Sequence, residues 1–182
     1  MALAHKKIYT IEDYWKIPDD TRAELIDGQL YFQAAPSRIH QQILSDLFLT
    51  IGHYIKSNNG NCRIYPAPFA VQLKKEENTI VEPDISIICD PNKLTDRGCL
   101  GAPDWIIEIV SPSNSSHDYV FKLNKYLNAG VREYWIVDPA IETVYVYKFD
   151  ENSTNLSHYT FMDIIPVGIY ENLKIDFREI GI

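Results

Sequence analysis

The chain has 182 residues, 46% of them hydrophobic, and a formal net charge of −8. That is enough apolar material for one ordinary domain with a packed core, and it excludes a disordered chain. The acidic balance argues against nucleic-acid binding through a generally basic surface, although a carboxylate-held cation or a local cluster of Lys and Arg can reverse the sign on one face. No stretch approaches the ~20 uninterrupted apolar residues of a membrane helix, and MALAHKKIYT lacks the apolar centre of a signal peptide. A cytoplasmic protein without membrane attachment is expected. Cys62, Cys89 and Cys99 are odd in number and form no C-x-x-C pair, which argues against a disulfide framework or a cysteine zinc site and favours buried free thiols.

Along the chain, IEDYW predicts a short helix capped by Thr10. In RAELIDGQLYFQ two alternating segments flank Asp27-Gly28, a dipeptide suited to a two-residue type I′ hairpin turn because both positions want positive φ. After Pro36-Ser37, residues Ile39, Ile43, Leu47, Phe48, Ile51, Tyr54 and Ile55 recur at helical spacing until Asn58-Asn59-Gly60 stops the helix. Three strand-like runs follow, CRIYPAPFAVQL, TIVEPDISIICD and DWIIEIVSP, with a polar loop from Asp90 to Asp104 between the last two. A second helix over Asp118 to Asn128 ends at Ala129-Gly130, and EYWIVDP and TVYVYKFD form a further strand pair. This order predicts an α/β (α+β) fold with a central mixed sheet flanked by helices, in one domain over 1–182: an N-terminal helix and hairpin to 35, a core over 36–150, and C-terminal strands and turns over 151–182.

Two carboxylates stand out. Asp84 lies among Val81, Ile85, Ile87 and Ile88, and Glu108 among Ile106, Ile107, Ile109 and Val110, where an unpaired buried charge costs several kcal/mol. If their strands are neighbours, about 4.8 Å apart, the two acids can converge on one point. Two carboxylates, a backbone carbonyl and waters suit Mg²⁺, which prefers few protein ligands. Taken singly, each acid is more simply read as a turn former or as the partner of a basic side chain.

Pro83-Asp84, with Glu108 in a following strand, resembles the PD-(D/E)XK nuclease superfamily, whose core is a helix, three strands, a helix and another strand. More narrowly, EPDISII, IIEIVSPS and the run D-x-x-x-K-x-x-x-Y-x-x-x-G-V-x-E-Y-W-I-V-D-P from Asp118 to Pro139 resemble the Uma-type restriction endonuclease family, as do ELIDGQL and the SRIHQQI helix start. The resemblance implies a Mg²⁺-dependent endonuclease acting on DNA, with Mn²⁺ as a possible substitute metal. Asp84, Glu108 and the Ile109 carbonyl would hold the metal. The superfamily's lysine, two residues after the second acid, is replaced here by Val110. Lys122 matches the lysine of the Uma-type run and is its substitute. On a helical wheel it borders the stripe of Tyr119, Leu123, Tyr126, Leu127 and Gly130, where its stem can lie on apolar surface; the plain alternative is an i,i+4 pair with Asp118. Lys125 is expected to be a solvated charge.

His40 falls on the inward arc of its helix, so it is either a satisfied core histidine or, as the resemblance implies, a contact to phosphate or metal-bound water. Glu24 in ELIDGQL is a third metal or water ligand or a cross-strand partner of a base. Tyr134, Trp135 and Asp138 read as core and turn. His5, His53, His117 and His158 lack ligand spacing, and no H-E-x-x-H, G-x-S-x-G or glycine phosphate loop occurs. The competing function is a non-catalytic nuclease-like module that binds a protein or nucleic-acid partner, and a third is hydrolysis of another phosphate ester. A homodimer using the aromatic EYWIVDP and TVYVYKF strands is a further expectation.

Overall fold

A computed structural model describes residues 7–18, 20–111, 116–150 and 153–181; the side chains of residues 116–118 and 120 are outside it. His5, His117 and the Asp118 carboxylate therefore lie outside the described residues.

Helix α1 (Ile11–Tyr14) begins with a capping box: Asp13 N–H donates to the Thr10 hydroxyl while Thr10 N–H donates back to the Asp13 carboxylate. Strands β1 (Ala23–Ile26) and β2 (Gln29–Phe32) form the hairpin, with Asp27 at φ 48° and Gly28 at φ 75° as the type I′ turn requires. Helix α2 (Arg38–Ser57) is capped by Ser37 and buries His40, Ile43, Leu47, Ile51 and Ile55. Ile39, expected on the same stripe, is 37% exposed, because the first turn meets the core only through His40.

The two long strand runs do not persist as single strands. CRIYPAPFAVQL divides into β3 (Arg63–Pro66) and β4 (Val71–Gln72), and TIVEPDISIICD into β5 (Ile80–Val81) and β6 (Ile85–Ile88). The halves pair as one bent hairpin: β4 with β5, then β3 with β6, both antiparallel. Pro66, Pro68 and Pro83 lie at the bend, where a residue without an N–H cannot continue a ladder. The expected mid-strand position of Asp84 is thus corrected to the bend itself, just before β6, with its carbonyl oxygen accepting from Ala67 N–H at 2.9 Å.

The polar loop is more ordered than its composition suggests, holding a 3₁₀ turn (Pro91–Lys93), β7 (Leu94–Thr95) and β8 (Gly98–Leu100). Then come β9 (Trp105–Ile109), α3 (Ser116–Ala129), β10 (Glu133–Asp138), β11 (Thr143–Asp150), β12 (Ser153–Thr160), β13 (Ile164–Pro166) and β14 (Lys174–Asp176). Gly130, at φ 93°, ends α3.

A main sheet runs β12-β11-β10-β9-β6-β3, parallel only at β9–β10, and a smaller one runs β2-β1-β5-β4-β8-β7, parallel only at β4–β8. The fold is mixed α+β. Helix α2 and residues from the C-terminal strands cover one face of the main sheet; α3 and the bend residues Val71 and Val81 pack on the other. Strand β9 is therefore central and covered on both faces, as its unbroken apolar composition implies. Strand β10 is enclosed between β9 and β11 with five of its six residues buried, so EYWIVDP offers no docking surface; the edges of that sheet are β12 and β3.

Cys62 and Cys89 form a disulfide, correcting the expectation of free thiols. The β3–β6 register pairs Arg63 with Ile88, so the residues just outside that pair face one another across the ladder, although 27 positions separate them in sequence. Cys99 is the buried free thiol among the described residues. Among these residues no helix is long and apolar enough to cross a membrane.

Candidate active site

Side-chain alternation sends Ile107 and Ile109 of β9 toward α2 and sends Ile106 and Glu108 toward α3. Glu108 meets Lys122 there, its Oε1 accepting from Nζ at 3.0 Å. The same Nζ donates to Glu24 Oε1, from β1, at 2.9 Å. Glu24, Glu108 and Lys122 are all more than nine-tenths buried, at 4%, 5% and 6% exposure. Three distant segments, one per element, thus share one ammonium. Glu24 has a basic partner, as one expectation held, but on α3 rather than across the hairpin, where its neighbour is Tyr31.

Asp84 reaches this cluster from the bend. Its Oδ2 accepts from Ile109 N–H at 2.7 Å and from His40 Nε2 at 3.1 Å, which places a proton on that nitrogen. His40 is held in turn by the cap, its N–H donating to the Ser37 hydroxyl at 3.2 Å. Its Nδ1 is buried without a hydrogen-bond partner among the described residues. The part of Ile109 that touches Asp84 is its N–H, not the carbonyl.

Two further groups were given no site role by sequence, and a third was expected elsewhere. The Tyr126 hydroxyl donates to Glu108 Oε1 at 2.7 Å; it sits one helical turn after Lys122, and that i,i+4 spacing was the available signal. Glu82 N–H donates to Glu24 Oε1 at 2.9 Å, and the Glu82 carboxylate accepts from Arg22 Nε at 3.3 Å and from the Tyr14 hydroxyl at 3.0 Å. No periodicity marks that cluster, since its members come from α1, the hairpin and the bend. Lys125, expected to be free in solvent, pairs with Asp27 at the hairpin turn, pinning α3 to β1 and β2.

Burial pushes the Glu108 carboxyl up to about 7, aided by the negative charges of Asp84 and Glu24 and opposed by Lys122 and the Tyr126 hydroxyl. Burial acts against the charge on Lys122, yet Glu108 and Glu24 outweigh it and hold the ammonium above its ordinary value. The dependence of Glu108 on Asp84 shows that the two acids feel one another, although Lys122 rather than a second acid is the nearest charge to Glu108.

Among the described residues no three of His, Cys, Asp and Glu cluster closely enough to bind a metal unaided. A cation here would take two carboxylates and complete its shell with backbone oxygen and water, the donor set Mg²⁺ accepts. The hydrogen bonds above fall on Asp84 Oδ2 and Glu108 Oε1, so the second oxygen of each carboxylate is the hard donor that fits such an ion.

The mixed sheet, with acids on neighbouring strands beside a helix-borne lysine, is the arrangement that the resemblance to restriction-endonuclease-like nucleases implied. The chain belongs to the Uma2 family, described as "Putative restriction endonuclease", which it matches over residues 11–171. It is 25% identical over 175 residues to "Uncharacterized protein slr1290" of Synechocystis sp. (strain ATCC 27184 / PCC 6803 / Kazusa), with 94% of this chain and 85% of that protein covered. A crystal structure described as "a putative nuclease belonging to DUF820", from Anabaena variabilis ATCC 29413, superposes with a TM-score of 0.77 at 23% identity, covering 94% of this chain and 96% of the other. At that identity the likeness speaks for the fold.

Proposed function

We propose that the protein is a Mg²⁺-dependent endonuclease that hydrolyses DNA phosphodiester bonds. The observation that carries this reading is that Asp84, bound to the N–H of Ile109, stands beside Glu108 in the chain of contacts that ends at Lys122. Asp84 and Glu108 would hold the cation, with the Ile109 carbonyl as a further donor. When bound, Mg²⁺ supplies Lewis acidity toward the phosphate and lowers the pKa of its water.

The chain's own residues do the remaining work. Lys122, held charged by its two carboxylates, brings a cation to the position that the lysine beside the second acid fills in related nucleases, so Val110 at that position does not leave the site without one. Its ammonium offsets negative charge gathering on the phosphoryl oxygens as water adds to phosphorus. Glu24 fixes the ammonium from the opposite side. His40 donates from Nε2 to Asp84 and orients that carboxylate, while Tyr126 does the same for Glu108.

Incubation with supercoiled plasmid and Mg²⁺ or Mn²⁺ tests the proposal. Nicked and linear products should appear with the wild-type protein and vanish with EDTA or with Asp84→Ala. Cleavage that survives Asp84→Ala would remove the mechanism.

A further inference from the structure

Two hollows open beside the smaller sheet, of about 200 and about 470 Å³, and Trp15 and Ala70 belong to the walls of both. The smaller is tied to the site through its lining. Glu82 precedes Asp84 by two residues and donates its N–H to Glu24, and Pro68 follows Ala67, whose N–H holds the Asp84 carbonyl oxygen. Through Glu82 the smaller hollow lies next to the carboxylate cluster, and Trp15 forms part of its wall.

The chemistry of that wall suits a nucleotide. Trp15 is half-buried, and the Arg97 guanidinium lies over its ring at 5.3 Å. Arg97 makes no ion pair among the described residues, and Lys16 in the same wall is held only by an exposed contact to Asp13 at 3.6 Å. Of the two carboxylates present, one is paired and the other is a surface charge. Glu82 is answered by Arg22 and Tyr14, whereas Glu12 is an exposed charge whose pKa hydrogen bonding lowers, set against the cations Arg97 and Lys16 in the same wall. An aromatic face together with a guanidinium that has no ion pair among the described residues is the combination on which a base stacks and a phosphate is neutralised.

We infer that the groove between Trp15 and Arg97 is a subsite for an unpaired nucleotide adjoining the phosphate to be cut. The inference rests on the nuclease reading and names its substrate class. In the free protein the guanidinium covers the ring; an entering base takes its place, and the released cation meets the neighbouring phosphate. A base within a duplex already has both faces stacked and cannot do this, so the groove selects single-stranded or locally opened DNA.

The remaining tryptophans make the test direct. Trp105 and Trp135 are fully buried, so fluorescence change on titrating a single-stranded oligonucleotide in EDTA reports on Trp15. Quenching is expected, with the matching duplex binding more weakly. Trp15→Ala should weaken single-strand binding roughly 5- to 100-fold and Trp15→Phe should restore most of it, as stacking requires. Arg97→Gln, at an exposed loop position where loss of folding is not at issue, should weaken binding and lower the salt dependence by about one counterion. Absence of quenching overturns the inference, as does single-strand binding by both variants equal to wild type, or duplex binding that is tighter and independent of Trp15. These measurements need no cleavage. Unaltered binding by the Trp15 and Arg97 variants in a protein whose plasmid cleavage depends on Asp84 sinks the subsite alone. Binding that depends on Trp15 in a protein that cleaves nothing upholds the groove and sinks the nuclease reading.

Discussion

Lys122→Met removes one charge and little volume from a site where two buried carboxylates depend on it. Glu24 and Glu108 lie 2.9 and 3.0 Å from the lost nitrogen and are almost free of solvent. Breaking a buried pair by deleting one partner costs about 3–5 kcal/mol, because the survivor is left uncompensated. With a urea m-value of roughly 2 kcal/mol per M, the midpoint should fall by about 1.5–2.5 M at pH 7.5. The loss should shrink at pH 5, where the carboxylates of the variant take up protons in place of the ammonium. Adding Glu108→Gln should recover part of it, since one of the two uncompensated charges is then gone. Equilibrium urea unfolding followed by circular dichroism at both pH values measures all of this. A cost below about 1 kcal/mol, or one that does not change between pH 7.5 and pH 5, would refute the view that Lys122 is the counter-ion of both acids.

Four other outcomes follow from the geometry. Because Glu108 titrates near 7, above its ordinary value, the folded state carries the extra proton between about 4.5 and 7, so the stability Glu108 contributes is complete below that window and lost as pH rises through it. Proton and metal compete for the same oxygens, so divalent-cation affinity by calorimetry should rise with pH up to about 7 and then level off; a flat profile between pH 5.5 and 8.5 counts against Glu108 as a ligand. Tyr126→Phe deletes a donor to a buried carboxylate and should cost about 1.5–3 kcal/mol in urea unfolding while moving the pH dependence of metal binding upward. Asp84→Asn keeps an acceptor for Ile109 N–H and should unfold near the wild-type midpoint, whereas Asp84→Ala should lose about 1–3 kcal/mol; both should lose metal binding, and an Asn variant that binds metal normally would exclude Asp84 as a ligand. Thiol titration of unreduced, denatured protein should find one cysteine, Cys99, against three after reduction, and reduction should cost about 3.5 kcal/mol for a loop of this length.

Local chemistry was legible wherever a short stretch decides its own conformation. Asp27-Gly28 sets a turn by its φ values, Ser37 and Asn58-Asn59-Gly60 bound a helix, and the all-apolar run of β9 implied cover on both faces. Lys122 could be placed at the margin of an apolar stripe because helical spacing fixes faces. What escaped was set by pairings between distant segments. The bend at Pro66–Pro68 acts together with Pro83 on the partner arm, and neither proline alone shows that two strands will leave one sheet for another. The Cys62–Cys89 bridge depends on the β3–β6 register, which no spacing within 27 residues reveals. Tyr126 looked like core because its ring is core; only the hydroxyl at its end belongs to the site.

The bend also explains how a buried site can remain chemically useful. Ile85 pairs with Ile107, so in a straight ladder residue 84 would lie directly across from Glu108, with its backbone committed to the sheet and its carboxylate pressed against another of the same sign. Asp84 stays in register with β3, its carbonyl accepting from Ala67 N–H, but the β6–β9 pairing stops at Ile85, so Ile109 N–H lacks a backbone acceptor on that side. The Asp84 side chain supplies that acceptor through Oδ2. One oxygen is thus spent on architecture, held by the sheet and by His40, and the other is left with direction but without a protein partner in the hydrogen bonds described. On the neighbouring strand Glu108 shows the same division, with Oε1 engaged by Lys122 and Tyr126. In the reading proposed above, two carboxylates each anchored through one oxygen would turn their remaining oxygens to a cation, Asp84 from the break before β6 and Glu108 from within β9.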